Sequence, residues 1–186
     1  MKKGETLNMN KKTDLRKLVY AAVCLALCLV LPFLTGQNRQ LGNMLGLMHI
    51  PVFLAGFLCG PWWALAVGAL APVLRHFLMG MPPFPTYVAM ALELAAYGLV
   101  TGLLYKALPK KPQYVYITLI AAMLVGRLVS GLANAAIYGL GLAEGTYTVQ
   151  TFLAAHFLTA WPGIVLHIVL IPLLVLALRR AKVIRD

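Results

Sequence analysis

The chain has 186 residues, of which 61% are hydrophobic and 11% charged, and its formal net charge is +11. A soluble domain carries about 25% charged residues, so this composition excludes a soluble enzyme or binding module and indicates one compact integral membrane domain. The basic excess does not point to nucleic acid either, because the Lys and Arg residues flank apolar segments and form no patch on a soluble domain.

Residues 1–14 are polar and read as a disordered tail ahead of a single membrane domain over 15–182. Six apolar segments follow, near 16–34, 45–59, 61–80, 85–107, 114–139 and 151–178. Crossing a hydrocarbon layer of roughly 30 Å takes about 20 helical residues. The expected fold is an all-α bundle of six transmembrane helices. The second segment is short and shares an apolar run with the third, broken only at Cys59-Gly60-Pro61. Proline at a helix start and glycine at a helix end favour a tight turn there. A re-entrant second segment would lower the count to four or five. Between the third and fourth segments, Pro82, Pro83 and Pro85 forbid a continuous helix. No small-residue cleavage site follows the first apolar run, which is therefore expected to be retained.

Charge placement favours six crossings with both termini cytoplasmic. The basic residues cluster in the N-terminal tail (Lys2, Lys3, Lys11, Lys12, Arg16, Lys17), in the fourth connection (Lys106, Lys110, Lys111) and in the C-terminal tail (Arg179, Arg180, Lys182, Arg185). Six crossings put all three on one side, as short Lys- and Arg-rich loops on the cytoplasmic face require. The other side keeps Arg39 and Glu144. Cys24, Cys28 and Cys59 all lie in apolar stretches, where a buried small residue is the plain reading.

Three ionisable residues fall inside the spans: Arg75, Glu93 and Arg127. Each costs roughly 2.5–3.5 kcal/mol on insertion scales unless it faces a cavity or a partner. Helical spacing sets Glu93 on one face with Thr86, Met90, Tyr97 and Thr101, and Arg127 on one face with Ser130, Asn134 and Tyr138. The third span offers Pro72, Arg75, His76 and Met79, and the last offers His156, Thr159 or Ala160, Gly163 and His167. In lipid these faces must turn inward, so spans three to six are expected to wall a polar cavity. Arg127 lies about 20 Å along its span at 1.5 Å per residue, and all three charges are expected to converge in the outer half. One acid for two bases suggests an anionic solute. Against this stand snorkelling of Arg75 to the surface, a structural ion pair for Glu93, and interhelical hydrogen bonds for Tyr97 and Asn134. Trp161 could stack on a ligand or serve packing alone.

Enzymatic chemistry finds no purchase. There is no GxSxG, no GxxxxGK[ST] loop for ATP and no HExxH. The four histidines are scattered, and neither a metal nor a cofactor is expected. Ala22 and Ala26 make a small-xxx-small pair on the first span, which permits close approach of another helix.

The whole pattern resembles the substrate-binding S component of an energy-coupling factor (ECF) transporter, a family of bacterial vitamin importers. The resemblance spans roughly residues 14–182. It rests on six spans in so short a chain, the basic tail before Leu18-Val19-Tyr20-Ala21-Ala22, the Ala22/Ala26 pair, the stretch His49-Ile50-Pro51-Val52-Phe53-Leu54-Ala55-Gly56, and the ending Pro162-Gly163-Ile164 through Ile171-Pro172-Leu173-Leu174. The resemblance implies a plasma-membrane protein that binds a water-soluble vitamin near the outer surface. It implies association with a transmembrane coupling subunit and two cytoplasmic ATPases, with Ala22 and Ala26 as the docking surface. It adds the outer loop at Asn38 to Asn43 to the pocket. The polarity argument supplies Arg75, Glu93, Tyr97, Arg127, Asn134 and Trp161. The expected cargo carries a carboxylate or phosphate, pantothenate being an example. The alternatives are a stand-alone secondary transporter and a small membrane enzyme acting on lipids; the latter needs a catalytic cluster at an interface.

Overall fold

The computed structural model describes residues 2–36 and 38–184; the side chains of residues 2–13, Arg39 and Asn43 lie outside the described residues. Among the described residues all regular structure is helical. The elements are α1 (Lys2–Val30), a 3₁₀ turn (Leu31–Thr35), α2 (Arg39–Leu45), α3 (His49–Cys59), α4 (Pro61–Met79), α5 (Thr86–Ala107), α6 (Pro112–Gly139), α7 (Val149–Leu153), a π turn (Ala154–Leu158) and α8 (Trp161–Arg180).

Among the described residues five stretches are long and apolar enough to cross a membrane: Asp14–Thr35, Pro61–Met79, Thr86–Ala107, Pro112–Gly139 and Trp161–Arg180. Two of the six expected segments differ from the reading of the sequence. The second is α3, with 11 residues, about 16 Å of helix. The apolar run ahead of it is interrupted at Gly46, whose left-handed backbone (φ 55°) ends α2. The last segment is not one helix over 151–178: the backbone passes through α7 and the π turn before α8 begins at Trp161.

Direction alternates along the chain. Cys28 on α1 donates its S–H to the Met48 carbonyl just ahead of α3, and at the other end of α3 Cys59 lies within electrostatic reach of Lys17. Thus α3 runs antiparallel to α1. At that same end Gly102 of α5 abuts Pro61 at the start of α4. There too Arg179 of α8 donates to the Tyr105 hydroxyl (2.7 and 3.0 Å) and to the Lys110 carbonyl (2.8 Å). Lys110 donates to the Tyr105 carbonyl and lies over the Tyr105 ring. Basic residues from three separate stretches of sequence therefore meet at one end of the bundle.

The core is built on α3, α4 and α5. Val52, Phe53 and Ala55 of α3, Ala64 and Ala71 of α4, and Leu94 of α5 are fully enclosed. Glycine makes this possible: a Cβ at Gly68 would run into the Leu94 carbonyl, and one at Gly98 into the Ala64 carbonyl. The two backbones touch directly, the close approach that small residues permit in membranes. On α1, Ala21, Cys24 and Cys28 turn inward, while Ala22 and Ala26 lie on the exposed side. The three cysteines are free and buried. At the end away from the basic cluster, α4 stops at Gly80 (φ 68°), whose N–H caps the His76 carbonyl. The proline-rich loop is then held by His76, whose Nδ1 donates to the Pro82 carbonyl (2.8 Å). The His76 ring also stacks on Tyr87 at 4.2 Å.

Candidate functional site

The half of the bundle away from the basic end encloses a cavity of about 430 Å³, within the range of small-molecule sites. Its walls come from α2 and α3, the first half of α5, the second half of α6, the α7 and π-turn segment, and the start of α8. The expected polar stripes do face one another: Glu93 and Tyr97 from α5, Arg127, Ser130 and Asn134 from α6, and His156, Thr159, Gly163 and His167 from the last segment all line it. The third span was expected to contribute a wall and does not. Its place is taken by α3, through His49 and Phe53.

The floor is a polar network. The Tyr97 hydroxyl donates to Glu93 Oε1 at 2.6 Å, and Arg127 reaches the same hydroxyl. Tyr97 therefore bridges the acid and the base, and among the described residues no carboxylate approaches Arg127 within 4 Å. His49 Nε2 stands 4.0 Å from Glu93 Oε1. The rings of Phe53 and His49 pack on Tyr97 with centroids at 4.8 and 5.4 Å. Behind Tyr97 there is no slack, because its ring occupies the space a Cβ on Gly126 would need. Glu93 and Arg127 are buried at 9% and 8% exposure, so each must find its partners inside the protein or in a ligand.

The upper wall is polar and aromatic. Asn134 donates to the Ser130 carbonyl (2.8 Å), and Ser130 Oγ pairs with His156 Nε2 (3.0 Å). The Arg127 guanidinium sits 5.3 Å from the Phe157 ring centroid, within cation–π range. Tyr138 and Tyr147 stack at 5.6 Å. Two lining atoms, the Tyr147 hydroxyl and His156 Nδ1, are buried without a hydrogen-bond partner. Burial, with Glu93 and Tyr138 adding to it, raises the Tyr147 phenol above its ordinary value. Its proton is thus available to an acceptor in the cavity. α2 closes the top. Both His49 Nδ1 and His167 Nε2 meet the Gly46 carbonyl, at 3.0 and 3.1 Å. The α2 backbone at Met44 and Leu45 rests where a side chain on Gly163 would stand.

The other expected site residues fall elsewhere. Arg75 does not join Glu93 and Arg127; it lines a smaller space of about 70 Å³ beside the cavity, together with Asn38. Asn38 Oδ1 accepts from the Gln40 and Leu41 amides (2.9 and 3.3 Å), so its side chain caps α2. The Asn43 side chain lies outside the described residues. Trp161 is 61% exposed and lines neither space. Among the described residues no group of three or more His, Cys, Asp or Glu could hold a metal ion.

Residues 16–175 match the family model of the ECF transporter substrate-specific component. The chain belongs to that family. Comparison with curated proteins and with solved structures gives no match. As an ECF S component the protein is a membrane-embedded transporter subunit and not itself an enzyme; it has a small-molecule substrate and works with the subunits of an ECF module. Among the lining residues that the sequence did not single out for this S component are His49, Phe53 and Tyr147. The first two are four apart on α3 and thus share a face, a pairing hidden because the histidines seemed scattered along the chain.

Proposed function

We propose that this S component captures a water-soluble vitamin or related small molecule in the 430 Å³ cavity and delivers it through an ATP-driven importer. In this reading a transmembrane coupling subunit and two cytoplasmic ATPases supply the drive. The observation that carries the proposal is the enclosed network of Glu93, Tyr97 and Arg127 beneath two unpartnered polar atoms, the Tyr147 hydroxyl and His156 Nδ1. Buried polar groups without partners are costly, and a polar ligand supplies them. Glu93, Tyr97, Arg127 and Asn134 are the proposed substrate contacts, with Arg75 reaching the same ligand from the side. Asn38, Asn43 and Trp161 complete the proposed set of substrate contacts.

In the plasma membrane, the proposed topology is six crossings with both ends cytoplasmic. Support comes from α3 running antiparallel to α1 despite its length and from the basic residues gathered at one end, which short cytoplasmic segments favour. The domain spans 15–182, preceded by the polar tail 1–14. Ala22 and Ala26, exposed on α1, form the proposed docking surface for the coupling subunit, since small residues allow close helix contact.

A thermal-shift screen of purified protein against water-soluble vitamins tests the reading. A ligand at 100 times its Kd adds about 2.7 kcal/mol to stability, and Arg127→Ala should abolish most of that gain. A screen without a stabilising vitamin, or a ligand whose affinity ignores Arg127→Ala, overturns it. So would uptake by this chain alone in ATP-free vesicles.

A further inference from the structure

The larger cavity is balanced in charge. Glu93 and Arg127 face each other across the Tyr97 hydroxyl, so the floor suits an uncharged polar body. Arg75 stands outside this balance. It projects from α4, which otherwise takes no part in the cavity, into the adjoining space of about 70 Å³. Its Nε is buried without a hydrogen-bond partner, and among the described residues no carboxylate lies within 4 Å of it. Arg75 as a whole is half-buried, but a buried guanidinium nitrogen without a partner is costly, and the planar fork matches a carboxylate or phosphate. The neighbouring wall is favourable to negative charge, because Thr86 opens α5 there and the N-terminal end of a helix carries partial positive charge. The two spaces share Gly42, Gly46, His49, Thr86 and Met90. One elongated ligand can therefore lie across both.

We propose that the pocket at Arg75 is an anion subsite that takes the carboxylate or phosphate group of a substrate whose uncharged polar body lies on the Glu93–Tyr97–Arg127 floor. This rests on the larger cavity being the substrate site, and it restricts the cargo to molecules with an acid separated from a neutral hydrogen-bonding body.

Two titrations on full-length protein in neutral detergent test it. In the first, sodium acetate and inorganic phosphate are added at constant ionic strength, with chloride as control, and the melting temperature is followed. Wild type should show a saturable rise that Arg75→Gln loses and Arg75→Lys keeps in part. An equal rise in Arg75→Gln, no rise in wild type, or a rise produced only by anionic phosphatidylglycerol, overturns the subsite. In the second, pantothenate is compared with its neutral alcohol analogue, panthenol. Wild type should prefer the acid by about 10- to 100-fold, the range for hydrogen bonds to a charged group, and Arg75→Gln should erase the preference while still binding the alcohol. Equal affinities in wild type, or a preference surviving in Arg75→Gln, again overturn it. If neither compound nor any other vitamin binds, the proposed function fails, while the acetate and phosphate titration still decides the subsite.

Discussion

The α4–α5 interface and the α6–α7 contact solve opposite problems with the same residue type. Where α4 meets α5, Gly68 and Gly98 bring backbone against backbone, and nothing there can yield. On the other side Gly131 of α6 faces only the ring of Phe152, 2.7 Å from where its Cβ would stand. One half is a fixed platform; the other is a wall of side chains around a hollow. The lesson is that rigidity here comes from backbone contact, and adaptability from rings and hydroxyls that can shift.

The comparison can be broken most decisively with one substitution made twice. Gly68→Ala should cost stability on the order of 1–3 kcal/mol, the usual range for overpacking, since the Leu94 carbonyl cannot withdraw; thermal melts in detergent would read this. Tyr97→Phe should leave the fold in place but remove the hydroxyl between Glu93 and Arg127. A lost hydrogen bond to charged groups is worth about 1.5–3 kcal/mol, to be read as a lowered melting temperature together with weakened vitamin binding. Gly131→Ala should alter stability by less than about 1 kcal/mol, because the Phe152 ring can turn aside and alanine favours the helix. A melting temperature lowered as much as in Gly68→Ala would abolish the distinction between the halves. Ala22→Trp, on the exposed face of α1, should change stability by at most about 0.5 kcal/mol and leave vitamin binding intact. Uptake in cells that supply the coupling subunit and ATPases should nevertheless stop.

The platform and the cavity were not equally legible. Polar residues at helical spacing on α5 and α6 named Glu93, Tyr97, Arg127 and Asn134 correctly as inward-facing, because hydrocarbon leaves such residues no other place. The gathering of Lys17, Lys110 and Arg179 at one end followed from the same physics. What the sequence could not convey was rotation and interruption. Arg75 has the composition of a cavity residue but sits on a helix turned toward its own small pocket. Trp161 was read as interior to a continuous span; the π turn ends that span just before it and leaves the indole outside. α3 shows no polar stripe in the sequence, so the cavity is expected from spans three to six alone, yet α3 supplies His49 and Phe53 from a helix largely enclosed by the others.

The carbonyl of Gly46 receives two imidazoles, and this binds three distant parts of the chain to a single oxygen. Each ring that gives its N–H to that oxygen must present its other nitrogen elsewhere, and for His49 the other nitrogen faces Glu93. The end of α2 above the cavity is therefore held from α3 and from α8 at one oxygen. Displacing the end of α2 from the cavity costs the hydrogen bonds of two imidazoles at once.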